Sequence, residues 1–258
     1  MLTQIQDIIR SAGQQMRSAD KIQSETKTSY RDIVTLYDVQ IQDYLKEQLL
    51  KLAPKADFIG EESKDNKSSS EQCFIVDPID GTANFLYGLC KSACSIAYAE
   101  HGEVLLGCIY DPYLDELFYA EKGKGSYCNG KPLRSLQGRL DQGITIFGTN
   151  PYHADTTEQT FALAKLCYKN TMDLRHFGAA SVDFCYVAAG RAILFFEGGL
   201  SPWDFAAGRL IAAEQGLLCK TWEGKELNLF TRNSVVCGNA EAVAQWFELL
   251  EQTKQGAE

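Results

Sequence analysis

In Cys73-Phe74-Ile75-Val76-Asp77-Pro78-Ile79-Asp80-Gly81-Thr82, a short apolar run leads into two carboxylates three residues apart. The apolar part predicts a buried strand that runs into Asp77. Pro78 fixes its own φ angle and Gly81 permits a turn, so the chain leaves the sheet stiffly here. If a helix begins near Gly81, its free N–H groups attract an anion such as phosphate, and two carboxylates beside it suit magnesium-assisted phosphoryl chemistry. An Asp-Pro turn with Asp-Gly capping a helix also explains the segment.

The segments on either side of this stretch predict helices and strands in alternation. Apolar residues at steps of three and four predict an amphipathic helix within residues 1–25 and another over 39–52, which Pro54 ends. After Cys73, short apolar runs at 92–99, 104–110 and 116–120 predict an antiparallel meander. We expect further strands at 144–148, 172–177, 192–196, 217–220 and 234–237, and helices at 156–168, 179–189, 203–215 and 240–252. Sheets covered by helices on both faces indicate a mixed α/β layered fold.

Composition and charge limit the possible partners. The chain has 258 residues, of which 45% are hydrophobic and 23% charged, enough for a sizeable core in one large domain or two fused lobes. Its net charge of −9, without a Lys/Arg cluster, argues against nucleic acid as a partner. The same charge repels a phosphate ester unless cations neutralise the carboxylates, which is a first indication of a metal. No signal peptide and no apolar run of about 18 residues is present, so we expect a soluble, cytoplasmic protein without a membrane partner.

Nine cysteines are scattered along the chain without a Cys-x-x-Cys pair. Most stand inside apolar runs, which is typical of reduced, buried thiols in a reducing compartment. The three histidines are isolated and form no ligand-spaced pair. The sequence therefore favours neither a disulfide framework nor a zinc site.

Two further acidic segments accompany the central one. Glu61-Glu62 follows Phe58-Ile59-Gly60, and adjacent acids after a glycine commonly form a solvated turn. Trp203-Asp204 opens an apolar helical run, with Ser201 and Pro202 suited to the N-cap and the first turn. An acid at that position commonly compensates the helix dipole. Each segment has an ordinary explanation, and only their joint occurrence favours a metal site.

With these motifs, the chain resembles the inositol monophosphatase family over nearly its whole length. Gly60-Glu61-Glu62-Ser63 is similar to the first acidic motif of the family, and Asp77 to Thr82, followed by Asn84-Phe85, to its central motif. Trp203-Asp204, followed by Ala206-Ala207-Gly208, is similar to the third motif. Lys27, Asp32-Ile33-Val34-Thr35 and Asp38 resemble its N-terminal segment.

The resemblance implies a five-layered αβαβα sandwich of the inositol monophosphatase and fructose-1,6-bisphosphatase type. It implies a single catalytic domain over 1–258, with an N-terminal lobe at about 1–140 and a C-terminal lobe at about 141–258. Members are usually homodimers that require two or three Mg²⁺ ions and are often inhibited by lithium.

The resemblance also implies roles for particular residues. The metal ligands would be four acids and one backbone carbonyl: Glu61, Asp77, Ile79, Asp80 and Asp204. Asp77 would bridge two ions, and Glu61 would help to position a third ion and its water. Thr82, hydrogen-bonded towards Asp38, would orient or activate the attacking water. The backbone N–H groups of Gly81 and Thr82 would bind the phosphate.

The alcohol of the substrate would meet the backbone of Ala180, the Glu197 carboxylate, and the metal ligands Asp80 and Asp204. The implied reaction is hydrolysis of inositol-1-phosphate or a similar polyol or sugar phosphate. Relatives with the same chemistry hydrolyse fructose-1,6-bisphosphate, histidinol phosphate or 3′-phosphoadenosine nucleotides. Ile193 stands where many bacterial members have aspartate, which weakens the case for inositol itself. An alternative of another class is a non-catalytic regulatory protein that binds metal or phosphate.

Overall fold

The structure is a computed structural model that describes residues 1–20, 22, 24–26, 33–64, 66, 71–150 and 154–255. Lys27 and Asp32, which carry part of the N-terminal resemblance, lie outside these residues. The helices are α1 (Leu2–Arg17), α2 (Leu36–Leu52), α3 (Thr82–Leu86), α4 (Thr157–Asn170), α5 (Ala180–Ala188), α6 (Pro202–Ala213) and α7 (Ala240–Gln255). The strands are β1 (Ser24–Thr26), β2 (Ile33–Thr35), β3 (Asp57–Gly60), β4 (Gln72–Asp80), β5 (Ala93–Glu100), β6 (Glu103–Asp111), β7 (Glu116–Glu121), β8 (Ser126–Cys128), β9 (Lys131–Pro132), β10 (Ile144–Phe147), β11 (Asp173–Arg175), β12 (Leu194–Leu200), β13 (Leu218–Lys220) and β14 (Asn233–Gly238).

Two large sheets and three pairs of helices form five layers. The first sheet has the order β3-β4-β5-β6-β7-β8-β9 and is antiparallel except for the β3–β4 pair. The second has the order β11-β10-β12-β14-β13, in which β10 runs parallel to both of its neighbours. Helices α1 and α2 cover the outer face of the first sheet, α5 and α6 lie between the sheets, and α4 and α7 cover the second sheet. This arrangement is the predicted αβαβα sandwich.

The helices form where the apolar periodicity predicts them. In α1, Ile5, Ile9, Ala12 and Met16 recur at steps of three and four and are buried against the first sheet. Helix α2 begins three residues before the predicted start, because the Thr35 side chain caps it. None of the helices in the described ranges is long and apolar enough to cross a membrane.

Two strands extend beyond the residues predicted for them. Strand β4 continues past Val76 to Asp80, and its pairing with β5 shifts between Asp77 and Asp80. Strand β12 continues past Phe196 to Leu200, with a shift against β14 between Glu197 and Leu200. In both strands an extra residue is accommodated as a β-bulge, which interrupts the period-two pattern on which the prediction rests.

Candidate metal centre

The bulge in β4 places Asp77 and Asp80 on the same face of the first sheet. In a regular strand, residues three apart point to opposite faces. Here Asp77 pairs with Ser95 and Asp80 with Ala93, and these two partners are two residues apart on one face of β5. Pro78 lacks a backbone N–H, so a bulge is a position in a strand where it is tolerated. Both carboxylates therefore point towards the middle helix layer.

The third acid comes from the start of α6. Ser201 is the N-cap of this helix, Pro202 is its first residue, and Asp204 accepts a hydrogen bond of 2.7 Å from the Ser201 N–H. Ser95 on β5 donates to the carbonyl of Trp203 at 3.3 Å, which ties the helix start to the sheet. One carboxylate oxygen each from Asp77, Asp80 and Asp204 lies within 4.8 Å of the others. Segments more than a hundred residues apart in sequence thus meet in one acidic cluster.

Glu61 approaches the cluster from β3. This strand runs parallel to β4, with Gly60 opposite Val76, and the Glu61 N–H donates to the Val76 carbonyl at 3.2 Å. Glu61 is not one of the three acids whose oxygens lie within 4.8 Å of one another. Its negative charge nevertheless raises the pKa values of both Asp77 and Asp204.

Burial and mutual repulsion disfavour the charged forms of these acids. Burial, followed by the charge of Glu61, raises the pKa of Asp77 well above its usual value. Burial, followed by the charge of Asp80, does the same for Asp204. Burial raises the pKa of Asp80 to about 6, against the opposing effect of hydrogen bonds from Ser181. A divalent cation would offset this repulsion, and carboxylate oxygens are the donors that Mg²⁺ prefers. The donor set therefore fits magnesium.

Thr82 and Asp38 meet beside the cluster. The Thr82 Oγ1 atom lies 3.1 Å from Asp38 Oδ1 and 3.0 Å from the Ile79 carbonyl oxygen. The other oxygen of the buried Asp38 accepts hydrogen bonds from the Thr35 N–H, at 2.7 Å, and from the Thr35 hydroxyl. The contact implied by the family resemblance is thus present, while the role of the two residues in handling water stays a prediction.

Gly81 is required by its surroundings. Its φ angle is +80°, in the left-handed region, and a Cβ atom would lie 2.9 Å from the Lys91 carbonyl oxygen and 3.0 Å from that of Gly178. A side chain at this position would force apart the chain segments that lead into β5 and α5. The short helix α3 begins at the next residue, so the predicted helix start at Gly81 is present.

Contacts from the segment around α5 hold the cluster in place. The Ser181 N–H donates to Asp80 Oδ2 at 2.7 Å, and the Ser181 hydroxyl donates to the same oxygen. The Asn84 Nδ2 atom lies 2.8 Å from the Lys91 carbonyl oxygen and 2.7 Å from that of Phe177. The sequence predicts no contact with the acidic cluster for Ser181 and no supporting role for Asn84. Ser181 lies 101 residues from Asp80 in the chain, a separation that no local pattern bridges.

The residues that the family resemblance assigns to the substrate alcohol lie beside the acidic cluster. Ala180 is the first residue of α5, directly before Ser181. Glu197 is buried, and burial followed by the charge of Asp80 raises its pKa to about 8. A Cβ atom at Gly148 would lie 1.8 Å from a Glu197 carboxylate oxygen, so a side chain there would displace the carboxylate. Asp183, one turn further along α5, is also buried, and among the described residues its carboxylate oxygens have no hydrogen-bond partner.

Comparison with known proteins places this geometry in a family. The sequence profile of the inositol monophosphatase family matches residues 2–255. A fructose-1,6-bisphosphatase/inositol-1-monophosphatase from Thermotoga maritima is 36% identical over 212 residues, covering 82% of this chain and 80% of that protein. The Nus factor SuhB of Escherichia coli K12 is 36% identical over 227 residues, covering 87% and 84%.

The fold comparison agrees with the sequence comparison. The crystal structure of the extragenic suppressor protein SuhB from Bartonella henselae superimposes with a TM-score of 0.89. It is 31% identical in sequence, and the match covers 96% of this chain and 97% of that one. The acidic cluster, the five layers and the full-length match together show that the chain belongs to the inositol monophosphatase family.

Proposed function

We propose that this chain is a magnesium-dependent phosphatase that hydrolyses a small phosphate monoester by direct attack of water. The observation that carries the proposal is the meeting of three carboxylates, those of the buried Asp77 and Asp80 and the half-buried Asp204, whose oxygens lie within 4.8 Å of one another. Membership of the inositol monophosphatase family supports hydrolase chemistry. The proposed substrate is inositol-1-phosphate or a similar polyol or sugar phosphate.

Five residues would hold two or three Mg²⁺ ions: Glu61, Asp77, Asp80, Asp204 and the carbonyl of Ile79. Bound magnesium supplies polarisation of the phosphoryl oxygens and a water of lowered pKa. The protein contributes the fixed positions of its ligands. Asp80 is held by two donors from Ser181, and Asp204 is held by the N-cap of α6. Such support from neighbouring hydrogen bonds fixes the direction of a ligating carboxylate.

Thr82 and Asp38 would orient the attacking water, with Glu61 as a further partner. A threonine hydroxyl has one hydrogen and two lone pairs. When Thr82 donates that hydrogen to Asp38 at 3.1 Å, its oxygen is left as an acceptor for a water hydrogen. The phosphate would be held by the backbone N–H groups of Gly81 and Thr82, at the turn where a side chain cannot fit.

The alcohol would be oriented by Ala180, Glu197, Asp80 and Asp204. Glu197 is buried close enough to Asp80 that the charge of Asp80 contributes to its raised pKa. A carboxylate accepts hydrogen bonds from two hydroxyl groups, which suits a polyol. Ala180 begins α5, where backbone N–H groups have no partner within the helix.

Other substrates with the same chemistry remain alternatives, namely fructose-1,6-bisphosphate, histidinol phosphate and 3′(2′),5′-bisphosphate nucleotides. The name of the Thermotoga relative joins fructose-1,6-bisphosphatase to inositol-1-monophosphatase, which favours the sugar bisphosphate among them. Phosphate release from this panel, with and without magnesium, would identify the substrate. We expect the highest kcat/KM with inositol-1-phosphate, and a higher value for any other substrate would replace it.

A second function is favoured by the name of another relative. The Escherichia coli protein is called a Nus factor, which brings a regulatory role into consideration alongside catalysis. The sequence predicts no nucleic-acid partner because of the net charge of −9. A folded protein that releases no phosphate from any monoester with magnesium would refute the phosphatase proposal and favour the regulatory role.

We also propose a single catalytic domain that acts as a cytoplasmic homodimer. The first sheet ends at Pro132 and the second begins at Ile144, which supports lobes that divide near residue 140. Nine scattered cysteines, most of them buried, support a reducing compartment. A molar mass equal to that of one chain, measured by light scattering, would refute the dimer.

A further inference from the structure

Two cysteines face each other across the edge of the second sheet. Cys219 on β13 and Cys237 on β14 are direct partners in an antiparallel pair. Their Sγ atoms lie 3.2 Å apart. Both side chains point into the core between this sheet and the middle helices. The contact lies outside the acidic cluster and plays no part in the proposed function.

The backbone of this pair suits a disulfide. Directly opposed residues in antiparallel strands have Cα atoms roughly 4.5–5.5 Å apart and side chains on one face. Disulfides span Cα separations of about 4.4–6.8 Å with a sulfur–sulfur bond of about 2.05 Å. Bond formation therefore requires the sulfurs to approach by about 1 Å, which rotation about the side-chain bonds can supply.

The two thiols differ in access. Strand β13 is the last strand of its sheet and has three residues, so it has one partner strand. Cys219 on this edge is 8% exposed, whereas Cys237 on the neighbouring strand is 0% exposed. Burial, together with the adjoining Cys219, raises the pKa of Cys237 well above its usual value. Short edge strands open more readily than central ones, so a reagent from solvent reaches Cys219 first.

We propose that Cys219 and Cys237 are a dithiol site that a peroxide converts into a reversible disulfide. The Cys219 thiolate attacks one oxygen of hydrogen peroxide, the O–O bond breaks, and Cys219 sulfenic acid and water result after proton transfer. The Cys237 sulfur then attacks the sulfenic sulfur, and the hydroxyl leaves as a second water. In total, two thiols and one hydrogen peroxide give one disulfide and two waters.

The disulfide would link the edge strand covalently to the strand beside it. It would close the loop between residues 219 and 237, and closing a loop of this length restricts the unfolded chain. We expect a rise in melting temperature of about 5–10 °C on oxidation, reversed by dithiothreitol. This measurement needs no substrate, so it stands or falls separately from the proposed function.

The test treats the purified full-length protein with hydrogen peroxide and then blocks free thiols. Peptide mass spectrometry should show a disulfide between the peptides that contain Cys219 and Cys237, with a loss of two hydrogens. Cys219→Ala and Cys237→Ala should each lose both the cross-link and the thermal shift. Cys167→Ala, which removes a buried thiol from α4, should keep both.

Exposed Cys90 is an internal check that the oxidant acted. If Cys90 is oxidised while the peptides of Cys219 and Cys237 remain unlinked, the proposal is wrong. Cys219 found only as sulfinic acid, or a cross-link that dithiothreitol does not reverse, would also overturn it.

Discussion

Two strand-to-helix turns supply the three acids of the cluster, Asp77, Asp80 and Asp204, and they position these acids differently. In the first, β4 leads through Gly81 into α3, and both acids lie within the bulge of the strand. In the second, β12 passes a bulge that contains Gly198-Gly199 and reaches α6, and the acid lies on the helix. Both strands pair with an antiparallel neighbour at the bulge. A bulge redirects the chain in each strand, and the residues that flank it determine whether the carboxylate lies on the strand or on the helix.

The difference shows in the local hydrogen bonds. Asp204 accepts from the Ser201 N–H at 2.7 Å, so it caps the helix that carries it. Asp77 accepts from the Ile79 N–H at 3.0 Å, inside its own bulge. Asp80 depends instead on Ser181, far away in the chain. The acid of the second turn is thus held by a local cap, while Asp80 of the first turn is held by a residue of α5.

Removal of the Asp204 charge should have the largest effect. Asp204→Asn keeps an oxygen for the Ser201 N–H but removes one negative charge from the cluster. We expect kcat to fall about 10³-fold or more, equivalent to about 4 kcal/mol, with a melting temperature close to that of the wild type. Steady-state kinetics and thermal unfolding measure both. The matched control is Glu241→Gln, which removes an acid from the first turn of another helix, α7. A near-normal kcat in a folded Asp204→Asn protein would refute the role of Asp204.

The next effect concerns the pH dependence of stability in the metal-free protein. The pKa of Glu197 rises from 4.5 to about 8 in the folded protein, so the folded state keeps a proton that the unfolded chain releases. The resulting stabilisation is complete below pH 4.5 and is lost as the pH rises through 8. Between pH 5 and pH 8 the unfolding free energy of the wild type should therefore fall by about 2–4 kcal/mol more than that of Glu197→Gln. Denaturation at the two pH values, in the presence of a chelator, measures this difference.

Glu248→Gln, an exposed acid on α7, is the control for this pH dependence. Equal pH slopes for wild type and Glu197→Gln would show that Glu197 titrates normally.

Loss of the Asn84 side-chain amide should destabilise the first turn and lower the melting temperature. Asn84→Ala removes the donor that lies between the Lys91 and Phe177 carbonyls. Both hydrogen bonds are partly buried, and carbonyls left without partners cost about 1–3 kcal/mol, so we expect a melting temperature lower by about 2–12 °C. Asn170→Ala is the control, because the amide of Asn170 bonds only within the exposed end of α4. Equal shifts for both variants would contradict a special role for Asn84.

The smallest effect should come from the corresponding contact of the second turn. Ser95→Ala removes one hydrogen bond of 3.3 Å to the Trp203 carbonyl, while the cap of α6 stays intact. We expect a loss of about 0.5–1 kcal/mol in unfolding free energy, measured by urea denaturation. A loss larger than that of Asn84→Ala would reverse the comparison between the two turns.

The sequence predicts the parts of this site that depend on local chemistry. Ser201 and Pro202 mark the start of α6, and Gly81 marks the start of α3, because caps and turns are specified by adjacent residues. The ends of β4 and β12 are not predicted, since a bulge interrupts the alternation of side chains. The contact of Ser181 with Asp80 depends on the packing of α5 and leaves no local signal. The five layers follow from the family resemblance rather than from the periodicity alone.

The contacts of Asn84 and Ser181 bear on how a ligand enters. They join the acidic cluster at the end of the first sheet to the segment that leads into the middle helices. A hinge motion that separated these parts would break several buried hydrogen bonds at once and would dismantle the cluster that it exposed. The acidic cluster is therefore preformed, and ligands should bind to it and leave it with the backbone nearly stationary.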